Sequence, residues 1–334
     1  MKFPLDLAVA MIKYLVSQRL NKVERYPLVL MLEPTHRCNL QCAGCGRIRE
    51  YKDTLDREMT LEECLEAVDV TGTPVVTITG GEPLLYSRVL ELVNSVLRQG
   101  RFIFFCTNGL LLEEALPRFK PHSHFYWNIH FDGTARVHDE IIGRKGGFDK
   151  ALRALRIAKQ KGFQVTTNTT VYKETDIKDL EELFEILTAE DVNGILVAPG
   201  FSYVDVKKSG EDHFLDRQEI TKRFKIIKTW QKRFPIMSNP LYLDFCAGEL
   251  SLKCTPWGNP TRNPLGWKSP CYLITDRHYD TYREFMENTD WDYYASGKDP
   301  RCQQCMVHCG YEPTVIRTMN LKRILRMVKW NLGL

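Results

Sequence analysis

The sequence lacks several features that would assign it to a special class of protein. It has no stretch of 18 uncharged apolar residues, so we expect no segment that spans a bilayer. It has no visible secretory signal, no low-complexity linker and no clean internal repeat. The net charge of +4 on 334 residues is mild, so nucleic acid is not an expected partner. Eleven cysteines are too few for a disulfide scaffold of this length, and we expect a cytoplasmic, reducing environment.

What the sequence does contain is a group of three closely spaced cysteines, Cys38, Cys42 and Cys45, after the apolar run Tyr26–Leu32. Four-iron clusters are normally held by four cysteines, so three thiolates leave one iron open to a small molecule. A zinc site is an alternative, although zinc usually takes a fourth protein ligand. Unrelated cysteines are another alternative. The spacing C-x3-C-x2-C resembles the radical SAM motif, which implies a [4Fe-4S] cluster and S-adenosylmethionine (SAM) as cofactors.

Strand and helix signals alternate from Tyr26 onward and predict an α/β fold. Apolar, β-rich runs separated by helical patterns are typical of a parallel sheet covered by helices. Six such units are too few for an eight-stranded barrel, so we predict a partial (β/α)6 TIM-like radical SAM barrel. The predicted strands are Leu28–Glu33, Val75–Thr79, Phe102–Thr107, Tyr126–Phe131, Val165–Val171 and Gly194–Val197. The predicted helices between them are Leu61–Val70, Arg88–Gln99, Leu111–Phe119, Phe148–Lys161 and Ile177–Leu187.

Polar residues follow the predicted strands at the end where barrel enzymes place their active sites. The second strand is followed by Gly80, Gly81, Glu82 and Pro83; later strands end near Cys106 and Asn108, His130 and Asp132, and Asn168. Two glycines let a backbone approach a ligand closely. The four-residue loop resembles the GGEP loop of radical SAM enzymes, which implies that it holds the methionyl amine. The same resemblance implies that Asn108, His130, Asp132 and Asn168 bind the SAM carboxylate and ribose; for Asn108 and Asp132, each followed by glycine, a simple turn is the alternative.

Longer segments resemble one family within these enzymes. They are Tyr26–Leu30, Cys42–Gly46, Cys106–Asn108, Cys254–Asn263 and Cys305–Glu312. Together they resemble the hopanoid-associated radical SAM family, the adenosylhopane synthases. The resemblance implies reductive cleavage of SAM and addition of the 5′-deoxyadenosyl radical to the alkene of diploptene, a polycyclic triterpene. A flavodoxin- or ferredoxin-type reductant is then an expected partner.

The resemblance leads us to assign specific roles to two residues. Most radical SAM enzymes carry an aromatic residue before the third cysteine, but this chain has Gly44. We expect the small residue to leave room for coupling the adenosyl group to a bulky substrate. A substrate radical must be quenched by a hydrogen atom, and we assign that donation to Cys106 as the catalytic residue. A buried small apolar residue is the alternative for any unpaired cysteine.

The C-terminal third carries a second group of cysteines, Cys254, Cys271, Cys302, Cys305 and Cys309. The first pair resembles the opening of the auxiliary-cluster domains called SPASM or twitch, although the full pattern is not met. We expect a second [4Fe-4S] cluster on Cys254, Cys271, Cys302 and Cys305, with Cys309 as a competing ligand. Structural zinc and free thiols stay open as alternatives.

The chain is therefore divided into four predicted parts: an amphipathic helix at 1–25, the barrel at 26–235, a cysteine-rich region at 236–314 and a basic amphipathic helix at 315–334. The last has five basic residues and no acidic one, a pattern typical of helices that lie on membranes. We expect peripheral binding at the inner face of the membrane, with helices packed on the domain as the alternative.

Two other functions remain open. SPASM-type regions often accompany radical SAM enzymes that modify peptides, although the short N-terminal helix offers little for peptide recognition. A non-catalytic iron–sulfur or zinc protein is the second alternative, and it leaves the Gly80–Pro83 loop unexplained.

Overall fold

The computed structural model describes residues 3–208, 210 and 212–332. Residues 1 and 2 of the predicted N-terminal helix, and 333 and 334 of the predicted C-terminal helix, lie outside the described residues. The described chain forms one nine-stranded sheet with helices packed on it.

Six parallel strands follow one another across the sheet and confirm the predicted partial barrel. Each strand lies among apolar neighbours. At least one helix separates it from the next strand, as parallel pairing requires. Their bounds agree with the prediction to within three residues: β1 Val29–Leu32, β2 Val75–Ile78, β3 Phe102–Thr107, β4 Phe125–His130, β5 Gln164–Val171 and β6 Gly194–Pro199.

Three further strands, which the sequence analysis missed, extend the same sheet beyond β1. They are β7 Thr261–Asn263, β8 Gly266–Pro270 and β9 Thr275–Tyr279. Strand β7 runs parallel to β1, with Met31 opposite Thr261, and β8 and β9 follow antiparallel. Their short and polar sequences carry little apolar periodicity, which is why they gave no strand signal. The division of the chain at residue 235 stays a prediction, although the sheet itself is continuous across it.

The helices of the first half are α1 Leu5–Leu20, α2 Gly46–Glu50, α3 Leu61–Thr71, α4 Val89–Arg98, α5 Leu112–Ala115, α6 Ala135–Ile142, α7 Gly147–Gln160 and α8 Ile177–Ala189. Those of the second half are α9 Val204–Lys208, α10 Arg217–Ile227, α11 Pro240–Cys246, α12 Tyr282–Asn288, α13 Trp291–Ala295, α14 His308–Arg317 and α15 Leu321–Leu332. Helix α3 begins with the capping box of Thr60 and Glu63.

The structure corrects two predicted helices. The predicted helix Leu111–Phe119 is only the short α5, continued by a 3-10 turn that contains Pro117, because proline interrupts an α-helix. The predicted tail from 315 is divided between the end of α14 at Arg317 and the separate helix α15.

The core fills the sheet interior and its contacts with the covering helices. Its largest fully buried side chain is Trp127 on β4, which packs against the rings of Phe105 and Phe125. Helix α1 covers the end of the barrel at which the strands begin. There Leu7 packs with Val75 and Phe102 at the starts of β2 and β3. The site therefore lies at the other end, where β1 to β6 reach their C-terminal residues.

Candidate functional site

The three-cysteine loop follows β1 and is held in shape by its own backbone and one arginine. The backbone N–H of Cys45 donates to the carbonyl of Cys42 at 3.2 Å. The Arg49 guanidinium donates to the carbonyls of Cys42 and Cys45 at 3.2 and 2.9 Å. These bonds fix the carbonyls of Cys42 and Cys45, and the three thiols are the groups suited to bind a cluster.

Burial makes those thiols poor anions unless a cation joins them. Burial raises the pKa of Cys38 to about 12, and nearby Glu82 and Cys45 add to that rise. Burial raises the pKa of Cys42 as well, together with the charges of Cys45 and Cys38. Thiolates are the form that binds metal, so this pocket favours them only with a cationic centre in place. The three cysteines therefore fit a cluster with one open iron.

The glycines of the loop after β2 approach protein rather than open space. Gly80 has φ +114°, and a Cβ there would stand 2.7 Å from the carbonyl oxygen of Thr35. A Cβ on Gly81 would stand 2.0 Å from the carbonyl oxygen of Arg37. Only glycine lets this loop pack directly on the backbone that leads into the cysteine loop.

Glu82 is buried and its two carboxylate oxygens accept three hydrogen bonds from protein. Oε1 accepts from Thr107 Oγ1 at 2.9 Å and from the Leu84 N–H at 3.1 Å. Oε2 accepts from the Asn108 N–H at 2.9 Å. Burial raises the pKa of Glu82 to about 7, although these donors oppose the rise. Glu82 thus joins the loops after β2 and β3, where the resemblance had implied contact with the SAM amine. Its neighbour Pro83 begins the short 3-10 turn that follows.

Asn108 links the loop after β3 to the cysteine loop. Its side-chain amide donates to Asn39 Oδ1 at 2.7 Å, and its own Oδ1 accepts from the Leu110 N–H at 3.0 Å. Asn39 lies directly after Cys38, and the sequence analysis missed it because nothing in the local pattern pairs it with Asn108. The turn that was the alternative for Asn108 is therefore present.

His130, Asp132 and Asn168 meet at the ends of β4 and β5. His130 Nε2 lies 2.6 Å from Asp132 Oδ2, and His130 stands opposite Asn168 in the parallel register. Burial alone would lower the pKa of His130, but the charge and hydrogen bond of Asp132 outweigh it and raise that pKa. Asp132 Oδ1 also accepts from the Thr170 N–H at 2.7 Å. The three predicted cofactor-binding residues are thus brought together, and their binding of SAM stays a prediction.

Cys106 lies on β3 beside polar side chains of the barrel interior. Asn128 Nδ2 donates to its sulfur at 3.4 Å, and Asn128 is its partner in the strand register. Burial raises the pKa of the Cys106 thiol to about 11, so it is protonated at neutral pH. A protonated thiol carries the S–H hydrogen that a donor needs. The role of Cys106 as the hydrogen-atom donor stays a prediction.

Gly44 does not leave open room, and the structure corrects that expectation. Gly44 has φ +70°, and a Cβ there would stand 3.1 Å from Tyr172 Cε1. The ring of Tyr172, which follows β5, thus fills the space that the absent side chain leaves. A Cβ on Gly200 would stand 2.9 Å from the same ring carbon, so two glycines form its slot.

The five C-terminal cysteines line a single cavity of about 170 Å³. Cys271 follows β8, Cys302 ends a 3-10 turn and Cys309 lies in the first turn of α14. Gly310 allows the approach of Cys254, since a Cβ there would stand 2.4 Å from the Cys254 sulfur. Burial raises the pKa of all five thiols. Five thiols around a space larger than a single ion fit a second cluster, which stays a prediction.

Zinc stays open as the alternative to a second cluster. Within the part of the chain that the structure describes, no group of three His, Cys, Asp or Glu side chains has an arrangement that holds a single metal ion. All eleven cysteines are unpaired by disulfides.

A buried ionic network, which the sequence analysis missed, separates the two thiol groups. Arg47, two residues after Cys45, pairs with Glu33 at 2.7 Å and with Glu50 at 3.2 Å. Lys268 on β8 is fully buried and pairs with Glu50 at 3.1 Å, and burial, with the charge of Arg47, lowers its pKa to about 8. The Arg47 guanidinium stacks 4.3 Å above the ring of Tyr272, which adjoins Cys271. Only the sheet extension brings these residues together.

Comparison with protein families divides the chain into two matches. Residues 32–187 match the model of the radical SAM superfamily, and residues 195–329 match a domain of unknown function, DUF3463. This confirms the predicted fold and the two predicted cofactors, a [4Fe-4S] cluster and SAM.

Two curated relatives show how far sequence similarity extends. The chain is 30% identical over 169 residues to the Fe-coproporphyrin III synthase of Methanosarcina barkeri, covering 49% of this chain and 42% of that protein. It is 28% identical over 173 residues to the PqqA peptide cyclase of Granulibacter bethesdensis, covering 50% and 45%. The chain therefore spans less than half the length of these relatives.

Solved structures share the fold over nearly the whole chain. Streptococcus suis SuiB, bound to precursor peptide SuiA, has a TM-score of 0.67 at 14% identity and covers 92% of this chain and 77% of its own. The enzyme anSMEcpe, solved with AdoMet and a Cp18Cys peptide, has a TM-score of 0.58 at 16% identity and covers 91% and 95%.

The predicted membership in the adenosylhopane synthase family is wrong. The matched relatives are named for coproporphyrin and heme synthesis, for PqqA cyclisation and for mycofactocin maturation, and the C-terminal match has no named function. The resemblance depended on short cysteine and glycine motifs, which record how a cluster and SAM are held rather than which substrate reacts. Diploptene was implied only by that resemblance.

Proposed function

We propose that the chain is a radical SAM enzyme, acting through the domain that residues 32–187 match, and that it modifies a peptide with the help of a second iron–sulfur centre. The observation that carries this proposal is the single cavity lined by five cysteines, set behind the Arg47 network from the three-cysteine loop. Peptide-modifying relatives and the peptide-bound SuiB and anSMEcpe structures support it.

Cys38, Cys42 and Cys45 would hold the cluster, which would supply the electron for reductive cleavage of SAM. The chain's own side chains then hold and surround the reactants. We assign the polar parts of SAM to Asn108, His130, Asp132 and Asn168, and the packing against it to Tyr172. A one-electron donor of flavodoxin or ferredoxin type would supply the reductant.

The second centre distinguishes this proposal from simpler radical SAM reactions. Arg217, on the cavity wall, donates to the Cys305 carbonyl at 2.9 Å and brings positive charge beside the thiols. A cationic neighbour stabilises thiolates in a buried site. We assign the cavity to a [4Fe-4S] cluster, which would supply one-electron chemistry beside the peptide when bound.

The deciding experiment uses anaerobically reconstituted full-length protein with SAM and dithionite. It receives either a synthetic peptide pool of acidic and basic sequences or iron coproporphyrin III, and mass spectrometry follows both. We expect 5′-deoxyadenosine in each mixture and a peptide of altered mass only in the first. Formation of 5′-deoxyadenosine with unchanged peptides would refute the peptide assignment, and no cleavage of SAM would favour a non-catalytic iron–sulfur protein.

A second candidate, an enzyme acting on an iron porphyrin, is favoured by the relatives named for coproporphyrin and heme synthesis. The same experiment separates it, since its mark is a changed mass of iron coproporphyrin III while the peptides stay unchanged.

A further inference from the structure

Helix α1 is apolar on two opposite faces, and the described residues cover one of them. The inner face places Leu7 and Met11 against the starts of β2 to β4. The outer face exposes five aliphatic side chains whose exposed fractions lie between 42% and 76%: Leu5, Val9, Ile12, Val16 and Leu20.

The spacing of these five residues places them in one stripe. They follow one another at intervals of four, three, four and four, which keeps them on one side of a helix. The 16 residues of α1 extend about 24 Å. Single exposed aliphatic residues are normal on protein surfaces, but a contiguous stripe marks a site of interaction.

Helix α15 adds a second patch of the same kind near the start of α1. Ile324, Leu325 and Val328 are between 43% and 54% exposed, beside the exposed Lys322 and Lys329. The two helices meet where the Phe3 N–H donates to Asn331 Oδ1 at 2.7 Å. We call these eight aliphatic residues the terminal surface.

The net positive charge of the chain is concentrated in the two terminal segments that carry the terminal surface. Residues 1–25 contain five basic and two acidic residues, and residues 315–334 contain five basic and none acidic. These two segments thus carry a net charge of +8, whereas the whole chain carries +4, so the remaining residues carry −4.

We propose that the terminal surface binds an anionic lipid bilayer. Aliphatic side chains enter the boundary between headgroups and acyl chains, while flanking lysines and arginines attract anionic headgroups. A second copy of the chain fits this surface less well, because two positively charged segments would face each other. None of the described helices is long and apolar enough to cross a membrane.

The test is flotation of the reconstituted full chain with vesicles of phosphatidylcholine alone or mixed with phosphatidylglycerol. Wild type should float with the anionic vesicles and release from them at high salt, since salt screens the attraction. The variant I12Q/V16Q should partition onto the anionic vesicles at least tenfold less than wild type, because each of these two residues exposes an aliphatic side chain. K322Q/K329Q should lose roughly fivefold per charge removed.

The matched control is I226Q on α10, which also replaces an exposed isoleucine but lies outside the terminal surface. It should float like wild type. All variants should keep wild-type melting temperature and 5′-deoxyadenosine formation, because none touches the cofactor site.

Three results would overturn the proposal. One is wild type that does not float with anionic vesicles, and another is I12Q/V16Q that floats as well as wild type. The third comes from sedimentation without lipid: a wild-type dimer that I12Q/V16Q converts to monomer would assign the surface to a second copy instead.

Discussion

Tyr172 fills the space in front of Gly44, where a Cβ would stand 3.1 Å from the tyrosine ring. The ring comes from the end of β5, far along the chain from the cysteine loop. The cofactor site therefore contains an aromatic side chain close to the third cysteine, although the residue directly before that cysteine has none.

Gly44→Ala should destabilise the protein more than Gly297→Ala. Both glycines have φ near +70°, so both substitutions carry the backbone cost of about 1–2 kcal/mol. Only Gly44 also faces a ring, whereas a Cβ on Gly297 meets nothing within 4 Å. Urea unfolding of the two variants measures the difference in unfolding free energy. Equal decreases in that free energy would show that the Tyr172 ring moves aside without cost.

Gly44→Phe should lower SAM cleavage together with substrate modification, because the new ring must displace Tyr172. Anaerobic assays of 5′-deoxyadenosine and of product measure both quantities. A selective loss of modification, with cleavage intact, would instead restore the idea that Gly44 makes room for substrate.

Glu82 should make folding stability fall between about pH 4.5 and pH 7. Its pKa is raised from 4.5 to about 7 in the folded protein, so in this window the folded state holds a proton that the unfolded state has released. The loss is on the order of 3 kcal/mol. Glu82→Gln cannot titrate, so the difference in unfolding free energy between wild type and variant should shrink with rising pH. A constant difference across pH 4.5–8 would contradict this account.

Cys106→Ala should still cleave SAM but should change the source of hydrogen in the product. The half-buried thiol is protonated at neutral pH, and its hydrogen exchanges with solvent. In heavy water, wild type should therefore place deuterium in the product, and Cys106→Ala should not. Cys64→Ala is the control, since Cys64 is a fully buried thiol on α3. Equal deuterium in all three proteins would remove the donor role.

The two thiol groups should contribute iron independently. Wild type should hold about eight iron atoms per chain, and the triple variant C38A/C42A/C45A about four. Among the remaining cysteines, Cys302→Ala should lose the second cluster and Cys309→Ala should keep it. Cys302 and Cys305 share a turn with a 3.0 Å hydrogen bond and are half-buried, whereas Cys309 is buried within the apolar cluster against which they pack. About one zinc and no iron in the triple variant would establish the zinc alternative.

Much of the barrel and the position of its cofactor loops could be predicted from the sequence. The bounds of β1 to β6 follow from apolar runs and turn residues, which act over a few neighbours in the chain. The cysteine spacing likewise predicts the cluster loop, because ligands from one short loop are set by local geometry.

The tertiary structure alone decided which distant segments meet. It joined β7 to β1, placed Tyr172 against Gly44, gave Glu82 its partners on the loop after β3 and gathered five cysteines around one cavity. It also showed that α1 buries one apolar face and exposes the other. These relationships depend on packing between residues far apart in the chain, which no local periodicity records, and substrate choice depends on them in the same way.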